Sequence, residues 1–304
     1  QGLGSSYNSF GQVGLIQTPT ADSKKEGTVS FTFNKNDIWK FGTLSVSPFD
    51  WLEASYFYYR PADLIWGGDG IRGHDLDKGF NIKFTHRFNN QFSSAIGLDD
   101  LAGTGYFSKE YVVSTHSFNN LSLSLGIGWG QFVGVSSFRN PLSYLTDKFD
   151  RRVGRGSKDF YGGTPTYSSW FRGEATTFGG LEYTNPNISR LKFKLEYDPY
   201  DYMNLSAFNR ADADLNLRSK DSNINLGFSY PFNKFITLDA SYIKGNTINF
   251  SFTIGATFNE KLFSKPKFKP VIKTRTKEGN SEITFYEDLL SNLNNNNLLL
   301  RPFK

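Results

Sequence analysis

Ten residues, Leu121 to Gly130, limit what this chain can fold into more than any other stretch. Leu121, Leu123, Leu125, Ile127 and Trp129 take alternate positions, with Ser122, Ser124, Gly126, Gly128 and Gly130 between them. Side chains alternate across a β-strand, so one face is a continuous apolar stripe and the other is nearly bare. A soluble sandwich strand normally carries charge on its outer face. Serine and glycine instead suit a wall with hydrocarbon outside and a crowded or wet lumen inside. Upstream, Phe92–Leu101 and Tyr106–Phe118 read as two more strands, joined by the turn Ala102–Gly105. Asn119-Asn120 then makes a tight link into the serine/glycine strand, where asparagine tolerates positive φ. This meander is the template for the rest.

The composition agrees. Thirty Phe and sixteen Tyr against one Met, in 304 residues, favour strands over helices. No apolar run reaches the ~18 residues of a membrane helix, which leaves a transmembrane barrel open. The absence of cysteine excludes disulfides, zinc–thiolate sites and a cysteine nucleophile. A start at Gln1 fits a mature chain after signal-peptide removal. The net charge of +5 is not gathered on any helix or RNA-type motif, so nucleic acid is not an expected partner.

Along the chain, Phe10–Ile16, Gly27–Asn34, Trp39–Ser47, Trp51–Arg60 and Phe80–Thr85 read as strands before the meander. Thr176–Tyr183, Leu191–Tyr197, Ile224–Tyr230, Ile236–Tyr242 and Ile248–Ile254 follow it. The periodicity predicts about thirteen strands, with short turns at 48–50, 88–91, 119–120 and 231–234. Long loops at 61–77, 133–173 and 198–221 alternate with these turns, the asymmetry of an outer-membrane barrel. The fold class expected is all-β: an antiparallel transmembrane β-barrel of about 12–14 strands over 1–258, either closed or one half of a larger barrel. From Asn259 a lysine-rich stretch and a helical pattern with Phe285, Leu289, Leu290 and Leu293 on one face predict a short periplasmic α/β segment over 259–304.

Several stretches together resemble one family. They are Gly14–Ala21 (GLIQTPTA), Ala95–Phe118 (AIGLDDLAGTGYFSKEYVVSTHSF), Leu123–Gly130, Glu196–Tyr202 (EYDPYDY) and Leu226–Phe252. In order and spacing the chain is similar to the YjbH/GfcD family of exopolysaccharide- and capsule-related outer-membrane proteins. The resemblance implies an outer-membrane barrel that works with polysaccharide-secretion machinery, with an α/β periplasmic insertion followed by a second set of strands. The chain ends inside that insertion, so the resemblance implies either that it is part of a longer protein or that the missing half comes from another polypeptide; a further barrel chain or periplasmic export components are the expected partners.

No catalytic pattern stands out. His74, His86 and His116 lack metal-ligand spacing, and no GxSxG, HExxH or P-loop occurs, so no metal, cofactor or enzymatic activity is expected. Asp99 and Asp100 are adjacent and point to opposite faces of a strand, which prevents them from flanking one glycosidic bond. The long loop is richer. Arg139, Arg151, Arg152 and Arg155 lie among Tyr144, Tyr161 and Trp170. Guanidinium groups pair with carboxylates and aromatic faces stack on sugars, so these seven are the candidate contacts to an acidic polysaccharide. The same composition also suits lipid headgroups or a loop packed on itself. Trp39, Trp51, Tyr58, Tyr59 and Trp129, near strand ends, are expected in the membrane-interface girdle. The resulting expectation is a passive pore or scaffold for polysaccharide export or surface assembly. A plugged capsule-binding lectin and a structural β-subunit of a multi-chain assembly are the alternatives.

Overall fold

The computed structural model describes residues 5–62, 65–66, 73–74, 76–103, 105, 107–153, 163–165, 167–188, 190–203, 215–260 and 287–293. Twelve strands close into one antiparallel barrel in sequence order. They are β1 (Thr28–Lys35), β2 (Trp39–Phe49), β3 (Leu52–Pro61), β4 (Asp77–Arg87), β5 (Phe92–Asp99) and β6 (Lys109–Phe118). The second half is β7 (Leu121–Gly130), β8 (Ala175–Thr184), β9 (Lys192–Tyr197), β10 (Ile224–Pro231), β11 (Ile236–Ile243) and β12 (Thr247–Thr257). Closure is complete: β1 pairs with β12 from Thr28↔Thr257 to Lys35↔Phe250. The wall is therefore even-numbered and whole, not half of a larger barrel. The thirteenth expected strand, Phe10–Ile16, is not in the wall.

Strand periodicity sorts the faces as the sequence requires. Phe31, Phe33, Leu44, Ile96, Leu125, Leu195, Leu226, Phe228, Phe250 and Ile254 all stand exposed on the outer face. Thr32, Ser45, Ser55, Asn81, Ser124, Asn225, Asn249 and Thr253 alternate with them and are buried inside. An apolar exterior around a polar interior is the transmembrane barrel arrangement. Among the described residues, no helix is long and apolar enough to cross a membrane.

Links between strands differ at the two ends. One end carries the short turns 50–51, 88–91, 119–120 and 232–235, the seven-residue link 185–191 and both chain ends of the barrel. The other carries 62–76, 100–108, 131–174 and 198–223, together with two short links, 36–38 and 244–246. Those short links sit beside the β1–β12 closure and leave that flank of the long-loop end low.

Residues 5–21 fill the lumen. They fold back on themselves through the bridges Tyr7↔Val13 and Gly14↔Pro19, and Val13, Leu15, Gln17 and Thr18 are almost wholly buried. Glycines on the inner face of the wall make the room. A Cβ on Gly180 would lie 2.9 Å from the Leu15 side chain, and one on Gly227 3.1 Å from that of Ile16. Above this segment, Phe10, Ile38, Trp39, Phe41, Phe57, Tyr59, Phe107, Tyr200 and Tyr202 form a buried aromatic cluster at the long-loop end. Lys261–Lys304 form a separate compact unit, in which 287–293 are helical with Leu289 and Leu290 exposed. Phe285 lies outside the described residues.

Candidate functional site

A plug needs polar anchors because its backbone leaves water without a ladder partner. The wall supplies them as inward charged side chains. Glu196 of β9 accepts the backbone N–H groups of Ile16, Gln17 and Thr18, each at 2.9 Å. It also takes the Thr18 hydroxyl at 2.8 Å and the Asn225 amide at 2.9 Å. On the opposite wall Glu53 accepts the Val13 N–H at 3.0 Å, and Asp99 accepts the Gln12 side-chain amide at 2.6 Å. Lysines serve the carbonyls: Lys194 donates to Leu15 at 2.8 Å and Lys83 to Val13 at 3.2 Å.

The same charges neutralise one another. Lys83 lies 3.2 Å from Glu53, Lys109 3.4 Å from Asp99, Lys192 2.6 Å from Glu182 and Lys194 3.4 Å from Asp239. The Lys109 ammonium also rests 4.0 Å from the centre of the Phe10 ring, a cation–π contact that ties the plug to the aromatic cluster. At the short-turn mouth Lys24 covers the Tyr7 ring at 4.2 Å and donates to the Ser5 carbonyl. Burial pushes the Lys24 ammonium down to about 8 and raises the Asp22 carboxyl.

Several of these contacts fall within the family-like stretches. Within Glu196–Tyr202, Glu196 holds the plug, while Asp198 accepts the Tyr202 hydroxyl at 2.7 Å. Tyr202 stacks on Trp39 with ring centres 5.6 Å apart. Within Ala95–Phe118, Asp100 turns with φ 52° and accepts the Phe107 N–H at 3.1 Å, seating Phe107 in the cluster. The inward lysines and carboxylates were visible as alternating charge in Lys192, Lys194 and Glu196, but nothing local marks their target.

The described residues of the 131–174 loop fold against the outer rim of β6–β8. Arg152 chelates Glu110 at 2.6 and 2.9 Å and donates to the Ser108 hydroxyl at 2.7 Å. Glu110 also accepts the Phe171 N–H at 3.0 Å, and the Phe171 ring meets Trp129 edge-on at 5.2 Å. Arg152 thus pins the loop and is not free for a ligand. Arg139 pairs with Asp150 at 3.3 Å and lies 5.3 Å from the ring centre of exposed Tyr144. The nearby Ser143 hydroxyl, then the Arg139 guanidinium, hold Asp150 below the usual carboxylate range. Trp170 meets Tyr167 at 4.8 Å, and Arg151 is exposed. Arg155 and Tyr161 lie outside the described residues.

The girdle needs correction. Trp39 and Tyr59 face inward and are almost wholly buried in the aromatic cluster, and Trp129 is covered by Phe171. None of the three meets lipid. Trp51 and Tyr58 stand on the outer face, 47% and 46% exposed. The short-turn rim carries a band the sequence reasoning missed. Phe49, Trp51 and Phe84 stack in a row, and His86, Phe88, Phe92, His116 and Phe118 continue it.

Comparison with known proteins follows the same line. The sequence model of the YjbH family, described as exopolysaccharide biosynthesis protein YbjH, matches residues 6–300. The uncharacterized lipoprotein YjbH of Escherichia coli K12 is 31% identical over 282 residues, covering 88% of this chain. The chain spans only 38% of the length of that relative. Among solved structures, the KdgM porin aligns over 76% of this chain and 99% of its own, at 11% identity and a TM-score of 0.37. An outer-membrane channel from Pseudomonas putida F1 aligns over 79% and 100%, at 9% identity and 0.37.

Proposed function

The chain belongs to the YjbH family of exopolysaccharide biosynthesis proteins, and from that premise we propose that it serves polysaccharide export or surface assembly as an outer-membrane barrel closed by its own N-terminal segment. The observation that carries this reading is the engagement of Ile16, Gln17 and Thr18 by Glu196 in the lumen. A segment tied to the wall at this many points leaves no route for a moving glycan. The reading is therefore a plugged platform in preference to a free-standing passive pore. Long loops face outward and the short turns with both barrel termini face the periplasm, following the usual asymmetry of such barrels.

In this reading the protein is not an enzyme. Its glycan contact is made at the loop surface, where Arg139, Tyr144, Arg151 and Trp170 offer charge and ring faces to an acidic polysaccharide. Arg152 supports that surface by pinning the loop. The test is retention of the solubilised protein on immobilised polygalacturonate, with the neutral polymer dextran as control. The double variant Arg151→Ala/Trp170→Ala is expected to lose retention while keeping the heat-dependent gel mobility of a folded barrel. Equal retention by variant and parent would overturn the loop assignment.

A further inference from the structure

The outer face of β1–β4 at the long-loop end carries a row of cations. Lys35 of β1 lies directly opposite Lys40 of β2, and Lys40 opposite Arg60 of β3. One step lower, Lys78 of β4 lies opposite Tyr58. Lys35, Lys40 and Lys78 are exposed and Arg60 half-buried, and no carboxylate pairs with any of the four among the described residues. Among the described residues, Asp37, in the turn between Lys35 and Lys40, forms no ion pair with either. Like charges directly across a sheet repel, so two such pairs in succession stand at a cost unless an anion joins them.

The row below is apolar and shaped. Phe33 of β1 lies opposite Gly42 of β2, and Gly42 opposite Tyr58 of β3. Gly42 has no side chain to fill the space between them. Among the described residues, an added Cβ would meet the Phe31 ring at 3.6 Å, an ordinary contact, so the outer wall dips at Gly42 into a shallow trough between Phe33 and Tyr58, bordered by the Phe31 ring. Phe80 continues the apolar surface beside it, 49% exposed. The links 36–38 and 244–246 beside Lys35 and Lys40 are short, and Lys35, Lys40 and Lys78 are exposed.

Resting on the outward orientation of the long loops, we infer that this patch binds a phosphate-bearing lipid of the outer leaflet. Its headgroup phosphates engage Lys35, Lys40, Arg60 and Lys78, and an acyl chain lies in the Gly42 trough. A soluble acidic glycan would satisfy the cations alone. The trough directly beneath them demands an amphiphile, and anionic headgroups at this depth attract basic side chains near the bilayer surface.

Native mass spectrometry of the full chain in detergent, titrated with bis-phosphorylated hexa-acylated lipid A, tests this. Discrete lipid adducts are expected, weaker by about tenfold or more in Lys35→Gln/Lys40→Gln/Arg60→Gln and with the dephosphorylated lipid. Gly42→Leu, which fills the trough without touching charge, is expected to weaken lipid binding as well. Equal adducts in parent and triple variant, or with the dephosphorylated lipid, would overturn the site. Binding of polygalacturonate or inorganic phosphate that the triple variant loses, with lipid binding indifferent to Gly42→Leu, would overturn the lipid assignment. Resistance of the barrel to trypsin in phosphatidylcholine vesicles is read on the same preparations. An inserted barrel without adducts removes the site alone, whereas failure to insert removes the membrane reading with it.

Discussion

The carboxylate of Glu196 takes both the backbone N–H and the hydroxyl of Thr18, at 2.9 and 2.8 Å. With the N–H groups of Ile16 and Gln17 on the same oxygens, three successive amides converge on one inward side chain. Successive backbone N–H groups form a concavity suited to an anion, and here the wall supplies that anion. Plug and wall are thereby joined across some 180 residues of sequence, |i−j| being 178 for this pair.

Glu196→Ala leaves those amides and the Asn225 side chain without their acceptor, each orphan costing about 1–3 kcal/mol. Hydrogen exchange read by mass spectrometry is expected to accelerate in residues 12–20 by about tenfold or more, with the wall strands unchanged. Unaltered protection of the segment would mean that Glu196 is not its latch.

Arg152→Met removes the partner of Glu110, which is 1% exposed and would be left as an unpaired buried charge. The expected cost is about 3 kcal/mol, borne locally by the loop. Release of Phe171 should wet Trp129, giving a red-shifted tryptophan emission and new tryptic cuts within 131–174. The double variant Glu110→Gln/Arg152→Met should recover much of the loss, because no ion is left alone.

Trp39→Ala and Trp51→Ala separate the interior from the girdle. Trp39 is fully buried and stacked on Tyr202, so its loss should cost about 3–5 kcal/mol. Trp51 stands on the rim against Phe49 and Phe84, and its truncation should cost about 1 kcal/mol. The temperature at which gel mobility changes from folded to unfolded should fall much further for Trp39→Ala. The reverse order would return Trp39 to the lipid interface.

The mouth of the plug carries a pH signature. Burial lowers Lys24 from 10.5 to about 8, so between those values the unfolded chain holds a proton that the folded chain has released. Stability of the segment therefore rises with pH across that window and is lowest below about 8. Above 10.0 the Tyr7 phenol, raised by burial, works the other way. In an NMR titration of lysine side chains, the signal missing from Lys24→Arg should show a midpoint near 8; a midpoint near 10.5 would contradict the desolvation of this half-buried ammonium.

The wall was legible because its rule is local. Strict alternation in Leu121–Gly130 and in Ile248–Ile254 assigns each side chain to a face without knowledge of its neighbours. Phe10–Ile16 obeys similar composition but pairs with itself and with wall carboxylates, and no short-range pattern separates a lumen segment from a strand. The same limit explains Trp39. An aromatic near a strand end fits a girdle by position, and only the parity of β2, with Phe41, Thr43 and Ser45 also inward, turns it into the lumen. Arg152 was singled out as a contact to an acidic polysaccharide because guanidinium groups pair with carboxylates, but the carboxylate it pairs with is Glu110, 42 residues away in the chain.

The most direct test of the closed barrel is conductance of the purified full chain in a planar bilayer, compared with Glu196→Ala and with a variant lacking residues 5–21. The parent is predicted to insert and stay silent, the deletion to conduct steadily, and Glu196→Ala to flicker between the two. Steady conductance by the parent, at the level of the deletion, would contradict a lumen closed by its own N-terminal segment.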